Sequence, residues 1–339
     1  MVSMSALYFM ASTSPLADSG VDSNTMLFIP KWDGMESAPN DLVCFVGSAT
    51  GLGSNILSAN GGGGTDCTLP NGCGVHVHSG TDCATSATQG GHWYNAGVLT
   101  TDPWALIGYK KTSSDGFGQF ASCVHTGFDV ASSPDLLDGR AFVVHNEDGS
   151  RASCGIISAA PDGYKAKTLE ATTIPIPGIE TDATGFVKVI TDLEDSVPDG
   201  VCYIGYAMGL EPNVESFLLG TGSDQCNAPN GCGAHIHSGT GCENKDEQGG
   251  HYYDSTELEV DPWKYESYLT TDSTGCAAMV GCTITGDEAS KYKSRPFIIH
   301  EPNGDRLLCG KLKKASKKSK KSKKSKKPKK EKVKKEKSA

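Results

Sequence analysis

A chain of 339 residues has room for two or three domains, each able to bury a core. With 37% hydrophobic and 21% charged residues, and no apolar run near the roughly 18 residues of a membrane helix, the composition excludes a helical membrane protein and a largely disordered one. The net charge of −9 is segregated: residues 311–339 hold 17 Lys against 2 Glu, leaving 14 basic against 38 acidic residues before them, so an acidic body of −24 carries a tail of +15.

In chain order, residues 1–24 read as a leader or poor signal segment. Ala6-Leu-Tyr-Phe-Met-Ala11 is apolar, but no basic residue precedes it, so a signal peptide is not clearly visible. Leu42-Val-Cys-Phe-Val, Val75-His-Val-His, Gln119-Phe-Ala-Ser-Cys-Val and Ala141-Phe-Val-Val-His then read as strands, punctuated by Gly, Asn, Asp and Ser. Residues 106–111 fit either a strand or a helical turn.

The landmarks then recur. Asn71-Gly-Cys-Gly-Val-His-Val-His-Ser-Gly-Thr returns as Asn230-Gly-Cys-Gly-Ala-His-Ile-His-Ser-Gly-Thr, Gln89-Gly-Gly-His-Trp-Tyr as Gln248-Gly-Gly-His-Tyr-Tyr, and Asp102-Pro-Trp as Asp261-Pro-Trp, all at an offset of 159. Later the offset is 155: Gly139-Arg-Ala-Phe-Val-Val-His matches Ser294-Arg-Pro-Phe-Ile-Ile-His, and Ser150-Arg-Ala-Ser-Cys-Gly matches Asp305-Arg-Leu-Leu-Cys-Gly. Two units follow, 25–160 and 183–312, with 161–182 as a linker containing Pro175-Ile-Pro-Gly and 313–339 as a Lys/Ser-rich disordered tail. The expected fold is all-β, two tandem Greek-key sandwiches or barrels.

Eight of the nine histidines belong to the repeat: His76, His78, His92 and His145, then His235, His237, His251 and His300. Residues two apart on a strand point to one face, about 7 Å apart, so a His-x-His pair can converge on one ion. A third ring after Gly-Gly and a fourth ending an apolar strand complete an all-nitrogen set, a donor type that suits copper, zinc, iron or nickel. A lone histidine reads as a packed core residue; a quartet kept in both units does not.

These residues resemble the copper/zinc superoxide dismutase family, over most of both units. Gly-x-His-x-His is similar to its paired copper ligands, the Gly-Gly-His segment to its bridging histidine, and the strand ending at His145 or His300 to the one carrying its last copper ligand. Arg151 and Arg306 match its active-site arginine. The resemblance implies copper ligation by all eight rings, a proton-relay role for His92 and His251, superoxide as substrate, and a fold of superoxide dismutase type. Two departures match its copper-only branch: no His lies between His92 and His125 or between His251 and His300 to ligate zinc, and five residues separate His145 from Arg151 and His300 from Arg306. One copper per domain and no zinc are expected. Something else must then orient the His92 and His251 rings. Asp102 and Asp261 are candidates, though Asp-Pro-Trp reads first as a turn with a packed indole. Arg140 and Arg295, the other two arginines of the chain, read as backbone or carboxylate clamps.

Thirteen cysteines suit an oxidising compartment, extracellular or at the cell surface. Six per unit allow 15 connectivities. The resemblance selects Cys83–Cys154 and Cys242–Cys309. The strands carrying Cys44 and Cys123 would be sheet neighbours, suggesting Cys44–Cys123 and Cys202–Cys282, and Cys67–Cys73 with Cys226–Cys232 remain. Cys276 has no counterpart. The expected function is a copper-dependent superoxide dismutase. The alternative is a matrix, cell-wall or mineral-associated protein whose modules bind copper with little turnover. The tail suits a polyanionic surface such as cell wall or mineral; no specific nucleic acid is expected.

Overall fold

The computed structural model describes residues 3–33, 39–59, 64–162, 164–191, 199–216 and 223–315. It is all-β apart from single helical turns. The first unit contains β1 (Ser3–Pro15), β2 (Asp22–Asp33), β3 (Leu42–Thr50), β4 (Val75–His78), β5 (Gly118–His125), β6 (Ala141–His145), β7 (Arg151–Ile156) and β8 (Ser158–Ala159), with the short helix α1 (Ser86–Gln89). The second contains β9 (Thr168–Pro175), β10 (Thr184–Ile190), β11 (Gly200–Met208), β12 (Ala234–Ile236), β13 (Ala277–Ile284), β14 (Pro296–His300), β15 (Arg306–Lys311) and β16 (Lys313–Lys314), with α2 (Lys245–Gln248).

Strand order is the same in both. The first sheet runs β4-β6-β7-β1-β2-β3-β5 with β8 on β1, and the second β12-β14-β15-β9-β10-β11-β13 with β16 on β9. All pairs are antiparallel. The long jumps from β3 to β4 and β4 to β5 are the crossovers of a Greek-key sandwich. Each unit closes around its own apolar core; Phe45, Trp104 and Phe142 meet at the centre of the first, and Tyr203, Trp263 and Phe297 at that of the second.

Strand alternation explains why several strands are apolar on both faces. Val43 and Phe45 of β3 enter the core of their unit, whereas Leu42, Cys44 and Val46 face a second apolar layer containing Phe186, Ile190, Cys202, Ile204 and Tyr206 of the other unit. The two sandwiches therefore pack sheet against sheet.

The structure corrects three expected boundaries. Residues 3–15, placed in a leader over 1–24, form β1, which pairs with β2 along its length and with β7 at Ser14 and Pro15. Its apolar run arises because Met4, Ala6 and Tyr8 line the layer between the units while Phe9 and Ala11 enter their own core and Leu7 stays exposed; apolar residues on both faces hide the alternation and mimic a targeting segment. The expected linker 161–182 likewise contains β9, the equivalent of β1, whose Leu169, Ala171 and Thr173 point inward between half-buried or exposed neighbours. Lys313 and Lys314 of the expected tail pair with β9, and the rest of the tail, from 316 on, lies outside the described residues.

Six disulfides join Cys44 to Cys123, Cys67 to Cys73 and Cys83 to Cys154, and in the second unit Cys202 to Cys282, Cys226 to Cys232 and Cys242 to Cys309. Cys44 and Cys123 stand directly opposite on β3 and β5 with Cα atoms 4.0 Å apart. Cys276 is free and half-buried.

Candidate metal centre

Strand β4 directs Val75 and Val77 into the core and His76 and His78 to its other face, with both rings buried. The neighbouring strand β6 alternates in step, and His145, at its end, reaches that same outer face beyond a register shift between Val144 and His145. His92 arrives from α1 through Gly90-Gly91 and forms an isolated bridge to His78. Glycine is required twice here. A Cβ at Gly74 would stand 2.4 Å from His76 Cε1, and Gly90 has φ +73°, a left-handed conformation that glycine adopts freely. Gly233 and Gly249 repeat both features.

In each unit the four histidines bring one ligand atom apiece to within 4.8 Å of one another. Their outward-facing nitrogens are all engaged. His76 Nε2 donates to Ile107 O at 2.9 Å, His78 Nδ1 to Gly90 O at 3.0 Å, His145 Nδ1 to Gly149 O at 2.9 Å, and His92 Nδ1 to Asp102 Oδ2 at 2.6 Å. In the second unit the acceptors are Glu266 O, Gly249 O, Gly304 O and Asp261 Oδ2, at 2.8, 3.0, 2.9 and 2.5 Å. These bonds set each tautomer and leave His76 Nδ1 and the Nε2 atoms of His78, His92 and His145 facing one point. His76 Nδ1, His235 Nδ1, His237 Nε2 and His300 Nε2 are buried without a hydrogen-bond partner. A buried polar atom without a partner is costly, and convergent orphans of this kind fit a cation.

Asp102 does two things at once. One oxygen holds His92; the other accepts Trp104 N–H at 2.9 Å, as in a turn with a packed indole. Asp261 does the same for His251 and Trp263. Burial alone would raise the Asp261 carboxyl, but the hydrogen bond and charge of His251 outweigh it and the net shift is downward.

Arg151, directly across the ladder from His145, donates to Gly90 O at 2.6 Å, Gln89 Oε1 at 2.7 Å and Ser86 O at 2.8 Å. Arg306 repeats this with Gly249 O and Gln248 Oε1. Each arginine thus shares an accepting carbonyl with a histidine of the cluster. Gln89 and Gln248 were missed as functional residues, although their place in the repeated Gln-Gly-Gly-His motif marked them. The backbone acceptors carry no side-chain signal. Arg140 clamps Leu136 O and Ser79 O beneath Trp93, and Arg295 holds Ser238 O over Tyr252.

Burial holds His76 and His235 well below the usual imidazole value, with the neighbouring rings adding to the effect. It also pulls His78 and His237 down to about 3 and about 2, and His145 and His300 to about 4. Unfolded imidazoles titrate near 6.5. Below that value the unfolded chain binds protons the native chain refuses, so the stability of the metal-free protein is full above about 6.5 and falls as pH drops toward the native values. Thermal melts of chelator-treated protein between pH 7 and 4.5 should show a steep fall in Tm; a flat profile would mean the rings are solvated.

Two four-imidazole centres on the sheets of two tandem β-sandwiches thus define the molecule. No protein-family model and no curated protein matches the chain. Among solved structures, superoxide dismutase 5 of Candida albicans is similar in its Cu(II) form, with a TM-score of 0.30 and 18% identity over 48% of this chain and 97% of that one. An alanine variant of that protein gives a TM-score of 0.31 and 18% identity, over 48% and 96%.

Proposed function

We propose that each domain is a copper-only superoxide dismutase centre. The observation that carries this reading is the orientation of the rings: in both units four histidines turn one nitrogen inward and tie the other to a backbone carbonyl or a carboxylate. His76, His78, His92 and His145 would hold one copper ion, and His235, His237, His251 and His300 another. Bound copper supplies the one-electron couple by which one superoxide is oxidised to dioxygen and a second, with two protons, is reduced to hydrogen peroxide.

The chain's own residues supply orientation and protons. His92 is the most exposed ring of its group, with 11% of its side chain accessible, and His251 matches it at 9%. With Nδ1 held by Asp102, His92 Nε2 is placed to hold and release a proton toward the open side; His251 and Asp261 pair likewise. The nitrogen a second metal would need is engaged by a carboxylate, which supports copper without zinc. Arg151 and Arg306 place a guanidinium beside each group. A body of −24 repels an anion at long range, so this local positive potential must govern the final approach.

Six disulfides favour an oxidising compartment, extracellular or at the cell surface. Among the described residues no helix is long and apolar enough to cross a membrane. The deciding experiment is metal analysis with a superoxide-consumption assay. Two coppers per chain, no zinc and fast dismutation are expected. Copper binding without turnover would favour the matrix-protein alternative, and zinc in either site would overturn the copper-only reading.

A further inference from the structure

The two units differ at one buried cluster, where the repeat has diverged at four positions together. Ile107, Lys110, Phe45 and Ser122 of the first unit correspond to Glu266, Leu269, Tyr203 and Gly281 of the second. The Glu266 side chain is only 6% exposed, and its Oε1 lies 3.8 Å from Lys110 Nζ of the first unit. Tyr203 Oη donates to its Oε2 at 3.5 Å. A Cβ at position 281 would stand 2.0 Å from that same oxygen, so Gly281 makes room for it. In the first unit Phe45 stacks on Trp104 instead. Lys110, with the charge of Lys111 beside it, a hydroxyl and a missing side chain thus serve one carboxylate.

That carboxylate belongs to a residue that touches the metal site. Glu266 O accepts the Nε2–H of His235 at 2.8 Å, the bond that turns His235 Nδ1 inward. The equivalent bond in the first unit, from His76 to Ile107 O, involves a residue with no charge to anchor. We propose that Glu266 is a positioning residue for the second metal site, held in place across the domain boundary by Lys110, so that docking of the first domain sets the orientation of His235 whereas His76 has no such dependence. The inference rests on the metal-site reading above. A buried carboxylate is stable only while paired. A cavity of about 160 Å³ lined by Lys110, Glu266 and Gly281 gives the carboxylate space to move without Lys110, which would leave the Glu266 carbonyl held by Ala234 N–H at 3.3 Å and by His235 without the side-chain anchor beside it.

The test uses the full chain with Lys110→Met, Lys110→Arg and the apolar pair Lys110→Leu/Glu266→Ile, which copies the first unit's chemistry. Copper(II) titration and electron paramagnetic resonance are read in His76→Ala and His235→Ala backgrounds, leaving one site each. Lys110→Met should weaken the second site about tenfold, within the range for an outer partner of a ligand, and change its copper(II) spectrum. The first site should be unmoved, and both Lys110→Arg and the apolar pair should restore the second. Equal effects on both sites, or none on the second, overturn the proposal. Histidine-labelled NMR of the metal-free chain gives a separate readout. Lys110→Met should speed exchange of the His235 ring N–H and leave that of His76 unchanged; unchanged exchange at His235 overturns the proposal even if copper fails to bind either background, a failure that would instead sink the copper reading.

Discussion

Replacing His76 and His235 together with alanine should abolish copper retention and lower superoxide consumption by about a thousandfold, because each substitution removes the inward nitrogen of a fully buried ring. The single variants should each retain one copper and about half the activity, since the units carry complete and separate ligand sets. Each alanine also leaves a cavity beside Trp104 or Trp263, the indoles that pack on these rings, at a cost of about 2–4 kcal/mol. Copper content measured on folded protein, with circular dichroism as the control, therefore separates ligand loss from unfolding. Full activity with one histidine of each set removed would sink the four-imidazole reading.

Arg151→Gln and Arg306→Gln, combined, should keep two coppers per chain but lower the second-order rate with superoxide by about 10–100-fold. Glutamine retains a donor for Gly90 O or Gly249 O while removing the charge, so the loop that orients His78 or His237 stays clamped. The remaining rate should rise rather than fall with added salt, because screening then acts mainly on the repulsion from the acidic body. Pulse radiolysis across a range of ionic strength measures both quantities. An unchanged rate and an unchanged salt slope would assign the arginines to holding α1 and α2 alone, a role their bonds to Ser86 O and Gln248 Oε1 already fill.

The ligand candidates were legible because their signal is local and repeated. His-x-His on a strand shares a face whatever surrounds it, and offsets of 159 for the first three rings and 155 for the fourth pair each with its counterpart. Asp102 was harder. The Asp-Pro-Trp motif points to a turn, and only the fold shows that a carboxylate has a second oxygen free for His92. Strand β1 was read as a leader because patterning assumes one wet face, whereas β9 alternates in and out and was read as linker from the Pro175-Ile-Pro-Gly at its end. Met4 and Tyr8 break that assumption by covering the opposite sandwich.

From the sequence alone came the two-unit organisation, the all-β class, the eight imidazoles and the segregation of charge, all properties of composition, repetition and period-two alternation. The tertiary structure decided which nitrogen of each ring faces inward, which carbonyls hold the others, and which strand faces are buried between the units. It also brought Lys110 of the first unit to the carboxylate of Glu266, the residue whose carbonyl holds His235. Tautomers and cross-domain pairs depend on atoms brought together from distant parts of the chain by packing, and no local pattern encodes those distances.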